Sequence, residues 1–304
     1  MIVMQQPSSL KLFFVMQGSV VPRIITKILG VSIISTLILL IDLHVMALPH
    51  VSISAMGVFG VALSLFLGFR NNAAYDRWWE ARKLWGLLIA DTRNIGRNVQ
   101  LFVDDKSERK NIMTLIVAFV HLHRGFLRKA PRSELENDIK NWLEPKTISA
   151  LLDHKNPADA ALRAITERLS HLKAIGVLDG FGQITLSQTL SALGTAQAGC
   201  ERIATTPLPF VYSLLVRRTT YLYCFILPFA LIDSTSWFTP LFAGIVAYVF
   251  FGLQAVTNEL EQPFSNVQNG LPLDAMCRTV EISISESLGQ EPPESLKPIN
   301  DILS

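Results

Sequence analysis

Residues 69–82 read FRNNAAYDRWWEAR, and the fold turns on how this stretch is read. Residues 43–68 before it contain no Lys, Arg, Asp or Glu, whereas Arg70, Asp76, Arg77, Glu80 and Arg82 stand within it beside the adjacent Trp78 and Trp79. No proline interrupts residues 52–103, so one helix can leave an apolar stretch and run on through a charged one. Ala74, Trp78, Ala81, Trp85, Leu88, Thr92, Ile95, Val99 and Phe102 repeat at a 4-3 spacing, a heptad stripe that predicts core packing. Trp79 lies off the stripe, where an aromatic anchor at a membrane surface is expected. Arg82 is four residues beyond Trp78 and three before Trp85, a spacing suited to a cation–π contact.

Composition agrees with a chain that is partly in lipid. Of 304 residues, 50% are hydrophobic and 17% charged, against about 25% charged in an ordinary soluble domain. The net charge of +2 is too near balance to suggest nucleic acid as a partner. Cys200, Cys224 and Cys277 match no disulfide or zinc spacing and read as small buried hydrophobes. The opening MIVMQQPSSLKLFF reads as no secretion signal, since no small-x-small site closes the apolar run after Lys27.

Four stretches approach the roughly 20 apolar residues that a bilayer span needs: 21–45, 52–69, 219–232 and 238–256. The third is short by itself and gains length from residues 210–216 upstream; Pro228 is placed to kink it. The turns at 46–51 and 233–237 carry no Lys or Arg, while Lys11, Arg23, Lys27, Arg70, Arg77, Arg82, Arg217 and Arg218 crowd the opposite ends. By the positive-inside rule both turns face outward and both termini face the cytoplasm, in a cell (inner) membrane. The layout is then a cytoplasmic N-terminal segment (1–20), a first hairpin (21–69), a cytoplasmic helical region (70–218), a second hairpin (219–257), and a C-terminal helix with a flexible tail (258–304). Within the cytoplasmic region, Asp104-Asp105 opens a helix to about Leu127. Ser133 with Glu136 fits a capping box for a short helix ending before Pro145. Asn156-Pro157 starts another. Gly176, Gly180 and Gly182 mark a loop before a helix from about Leu186.

Three blocks carry a family resemblance. FLGFRNNAAYDRWWEARKLWG (66–86), GCERIATTPLPFVYSLLVRRTTYLYCFILPFAL (199–231) and NELEQPF followed by LPLDAMC (258–277) resemble, in the same order, blocks of the bacterial bestrophin homologues. The resemblance implies an all-α membrane protein with four transmembrane helices per subunit and a large helical cytoplasmic region, assembled as a bestrophin-like homopentamer around a pore lined by the second helix. It implies a narrow neck of three apolar residues, which map to Val61, Leu65 and Phe69; Val61 and Leu65 depart from the Ile or Phe usual there. These three also lie at i, i+4 and i+8, so five copies would stack three apolar rings of the kind that gates by dewetting. A second, cytoplasmic aperture falls in GVLDGFGQI, at Leu178 or Phe181. Arg70, Trp78, Trp79 and Arg82 would support the helix where it leaves the neck.

Animal bestrophins carry an acidic run after the fourth span that clasps calcium. Here the chain reads PFSNVQNGLPLD, so the clasp is expected to be absent and no cofactor is required. Glu259, Glu261 and Asp274 are the carboxylates left as metal candidates. His121 and His123 lie on different faces of a helix and are poor joint ligands. No catalytic motif stands in the chain, so the reading is not an enzyme and names no catalytic residue. It is an ion channel passing monovalent ions through the bilayer, leaning to cations such as sodium, with an anion (chloride) channel as the alternative. A non-conducting membrane scaffold or sensor is the reading from another class.

Overall fold

The structure, a computed structural model, describes residues 1–3, 15, 16 and 18–304. Lys11 and most of the expected 1–20 segment therefore lie outside the described residues. Ten α-helices occur among the described residues: α1 (Val21–His44), α2 (Ile53–Phe102), α3 (Lys106–Arg128), α4 (Arg132–Ile139), α5 (Pro145–Leu152), α6 (Pro157–Ala174), α7 (Gly180–Thr205), α8 (Phe210–Thr235), α9 (Thr239–Leu260) and α10 (Leu273–Ser287). The chain divides into two compact units. An apolar unit takes residues 5–78 and 207–262, and a core unit takes residues 1–4, 79–206 and 263–304.

Among the described residues, three helical stretches are long and apolar enough to cross a membrane: Val21–His44, Ile53–Phe102 and Phe210–Leu260. The third is not one helix. Ser236 adopts φ 46°, α8 stops there, and a single 3-10 turn, Ser236–Phe238, leads into α9. Pro228 lies inside α8 without ending it, and the upstream residues from Phe210 belong to that helix. In the apolar unit α9 lies along α1: Ile24 packs with Ala247 and Phe251, and a methyl added at Gly244 would meet Ser32 Oγ at 2.7 Å. Small residues permit this approach. A second cluster joins Met56, Leu63 and Leu67 of α2 to Val216, Tyr223 and Leu227 of α8 and Phe250 of α9. The turn after α1 is tied by His50, whose Nε2 lies 3.1 Å from Asp42 and whose Nδ1 lies 2.7 Å from Asp233.

The core unit is built around α3. Asp105 caps it, accepting from the backbone N–H groups of Ser107 and Glu108 at 2.7 and 3.2 Å. Every residue from 112 to 125 is buried, including the polar Thr114, His121, His123 and Arg124. The helix α6 packs along it, and α4, α7 and α10 also touch it. His123 sits at the centre, stacked 5.6 Å from Trp85 and 5.9 Å from Phe119. All three cysteines are buried; burial pushes the Cys200 thiol up to about 12.

Local expectations fail in four places. Ser133 lies inside α4 and makes no capping box; Pro131 is the N-cap, and Glu136 pairs with Arg132 at 3.0 Å instead. The helix α7 starts at Gly180, well before Leu186, because the Asp179 carboxylate accepts from Gly182 N–H at 2.7 Å and caps a turn that glycines made look like loop. Pro145 opens a further helix, α5, that the sequence did not suggest. The end of the tail is held rather than loose: Val3 N–H donates to Asp301 at 2.9 Å, Leu303 N–H to Met1 at 2.8 Å, and Ala275 N–H in the first turn of α10 to Ser304 at 2.9 Å.

Candidate pore-lining site

The face of α2 that meets its own unit is a continuous stripe. Met56, Gly60, Leu63, Leu67, Arg70 and Ala74 are all buried and follow the same 4-3 spacing. In the second half of the helix the stripe continues through Ala81, Trp85, Leu88, Thr92, Ile95 and Val99, each buried. Val61, Leu65 and Phe69 lie off this stripe and are 63%, 58% and 66% exposed. They form an uncovered apolar row over more than two helical turns. Val61 and Leu65 also edge a cavity of ≈540 Å³ with Gly57, Gly60, Tyr223 and Phe250. Its floor is tight: a methyl on Gly60 would lie 2.7 Å from Tyr223 Oη. The Tyr223 ring is held edge-on by Phe59 and Phe250, at 5.3 and 5.2 Å.

The residues expected to support the helix exit behave differently from one another. Arg70 is 4% exposed. Its Nε and Nη2 donate to Glu261 Oε1 at 3.1 and 2.6 Å, and Nη2 also donates to Asn258 Oδ1 at 3.0 Å. Trp78 is half-buried and Trp79 exposed. Lys83 lies over the Trp79 ring, 5.9 Å from its centroid, and the Arg82 side chain is exposed. Glu80 pairs with Arg202 on α7 at 2.5 Å.

Of the two aperture candidates, Leu178 is 3% exposed and Phe181 78% exposed. A methyl on Gly182 would meet Leu178 at 2.7 Å and Phe102 at 2.9 Å, so α7 comes close to α2 here and Leu178 is core. Leu178 is thereby removed as a residue facing a pore, and Phe181 stands at the open start of α7.

The carboxylates considered for metal are taken by arginines. Glu259 pairs with Arg23, Glu261 with Arg70, and Asp274 with Arg124 at 2.5 Å and Arg128 at 2.7 Å. Burial would raise the Asp274 carboxyl, but Arg128 and Arg124 outweigh it and hold the group below its ordinary range. Among the described residues no three His, Cys, Asp or Glu side chains are placed to hold a metal ion. His121 pairs with Glu281 at 2.7 Å, while His123 points into the aromatic stack, so the two do not share a ligand. The role of Arg70 and Asn258 in burying a polar joint was not foreseen; the signal available was that Arg70 falls in register with Met56, Gly60, Leu63 and Leu67.

Residues 1–286 match the bacterial/fungal bestrophin family. The chain belongs to the bestrophin family. Among bestrophins similar to it, the voltage-dependent anion channel-forming protein mll4386 of Mesorhizobium japonicum is 44% identical over 297 residues, 97% of this chain and 95% of that protein. The voltage-dependent anion channel-forming protein YneE of Escherichia coli is 36% identical over 285 residues, 93% of each. The crystal structure of a bacterial bestrophin homolog from Klebsiella pneumoniae superposes with TM-score 0.82 at 32% identity, covering 88% of this bestrophin and 100% of that chain. With its apolar helices, this bestrophin is a membrane protein, of an ion-channel family and not an enzyme.

Proposed function

We propose that this bestrophin is one subunit of a homopentameric channel for monovalent ions in the inner membrane. Four segments would span the bilayer: α1, the first part of α2, α8 and α9. Both termini and the core unit would lie in the cytoplasm. The observation that carries the reading is the uncovered apolar row of Val61, Leu65 and Phe69 on a helix whose opposite face is fully packed. Around a fivefold axis, three apolar rings would form a neck that excludes water, and with it ions, until a small displacement of α2 widens it. Phe181 is the residue proposed for a second, cytoplasmic aperture. The neck carries no charge and sets no sign. The names of the relatives favour anions, against the cation leaning of the sequence reading. No cofactor is proposed, and a calcium clasp of the animal kind is proposed to be absent, since Glu259 and Glu261 already have arginine partners.

The test is Leu65→Ala. In reconstituted liposomes the wild type passes a monovalent ion slowly, and the variant, with the central ring thinned, passes it several times faster at the same assembled mass. Equal fluxes from the two proteins would refute the neck.

A further inference from the structure

Of positions 56, 60, 63, 67, 70 and 74 on the packed face of α2, only 70 carries a charge. A buried guanidinium without partners is strongly destabilising; Arg70 has two, Glu261 and Asn258, both from the end of α9. Two turns further along α2, Arg77 Nε donates to the main-chain carbonyl of Glu261 at 2.9 Å. Glu261 is the residue that closes α9. Its carboxylate and its carbonyl, one of the unsatisfied acceptors of a helix end, are thus both held by cations from α2. Arg70 directly follows Phe69. On a helix their side chains are about 100° apart, so turning Phe69 away from its present direction drags Arg70 across Glu261.

We propose that Glu261 is the positioning residue of the neck: its grip on Arg70 and Arg77 fixes the rotation of α2 that presents Val61, Leu65 and Phe69. This rests on the neck reading above and names what sets it. The apolar unit ends at Gln262, and the chain re-enters the core unit at Pro263. A pull on the chain beyond Gln262 therefore arrives at the carboxylate that holds the neck helix. A pair that only stabilised the bundle would lower the unfolding temperature when removed and leave the neck as it was.

The experiment reads the neck directly. Leu65→Cys, in the full chain, reports the access of a water-soluble thiol reagent; Cys200, Cys224 and Cys277 are buried and stay silent. With Glu261→Gln, modification at 65 becomes about tenfold faster, equivalent to ~1.4 kcal/mol on the balance of closed and open necks. Glu261→Asp, which keeps the charge on a shorter stem, gives an intermediate rate and serves where the glutamine variant does not fold. An unchanged rate in both variants overturns the proposal. So does an equal rise at a control cysteine replacing Ile33, an exposed residue of α1, which would mark general loosening. Ion flux from the same preparations separates the two readings. A wild type that passes no ions overturns the channel, while the rate at position 65 still decides the role of Glu261.

Discussion

Phe69 and Arg70 are neighbours in sequence and opposites in environment: the apolar ring is 66% exposed and the guanidinium 4% exposed. Hydropathy alone would assign them the other way round, and the heptad register corrects it. Extended upstream from Ala74, the 4-3 spacing runs through Arg70, Leu67, Leu63, Gly60 and Met56 and leaves Val61, Leu65 and Phe69 outside. At the residue scale the exposure of these three side chains was therefore legible, because helix periodicity is a property of the sequence itself. Leu178 and Phe181 were not separable in that way. Which of them is buried depends on how closely Gly182 lets α7 approach Phe102, a distance set by tertiary packing. The two substitutions accordingly part company. Leu178→Ala removes a buried side chain and lowers unfolding stability by about 3 kcal/mol. Phe181→Ala leaves stability within about 0.5 kcal/mol and changes channel conductance. Thermal unfolding and bilayer recordings on the same proteins check both; a stability loss at Phe181, or none at Leu178, would contradict the assignment.

At the scale of elements, α3 is the least replaceable helix. Its residues 112–125 are all buried, and one of its histidines, His123, shows what that costs. His123 is fully buried and neither ring nitrogen has a hydrogen-bond partner in the structure. Burial pushes its pKa down from 6.5 to about 3, so the folded protein holds the ring neutral while the unfolded chain takes up a proton. The sign follows from that difference: stability is complete above pH 6.5 and is lost as pH falls toward 3. By about pH 5 the loss attributable to this one ring is about 2 kcal/mol. His123→Phe keeps an aromatic ring between Trp85 and Phe119 but cannot titrate. Its denaturant midpoint should therefore fall less than that of the wild type between neutral pH and about pH 5; parallel declines would exclude the ring as the source. Element boundaries were legible where a side chain signals them in place, as Asp105 and Asn156 do. They were missed where a neighbour redirected that side chain, as Arg132 does to Glu136, or where glycines hid a cap, as at Asp179.

For the whole molecule, the uncovered apolar row on α2 requires something to cover it, since large exposed apolar patches mark contact surfaces. The proposed fivefold ring of this chain would meet that requirement by placing the row on its axis. The sign of the permeant ion was not legible in the sequence, and the reason is physical: the proposed neck of Val, Leu and Phe would discriminate by size and dewetting, leaving sign to charges elsewhere. Exposed charged side chains of the core unit include Arg93 and Arg97 on one side and Asp104, Asp105 and Asp179 on the other. Of these, Arg93 donates to Ser283 at 3.0 Å and Arg97 to Asn94 at 3.1 Å. Asp104 lies 3.7 Å from Arg109, which offsets its charge. The names of the relatives favour anions. In asymmetric sodium chloride the reversal potential should lie near the chloride equilibrium value, and the double substitution Arg93→Gln with Arg97→Gln should move it toward sodium's. A wild-type reversal at the sodium value would restore the cation reading, and an unmoved reversal in the double variant would transfer the selectivity to residues other than these two arginines.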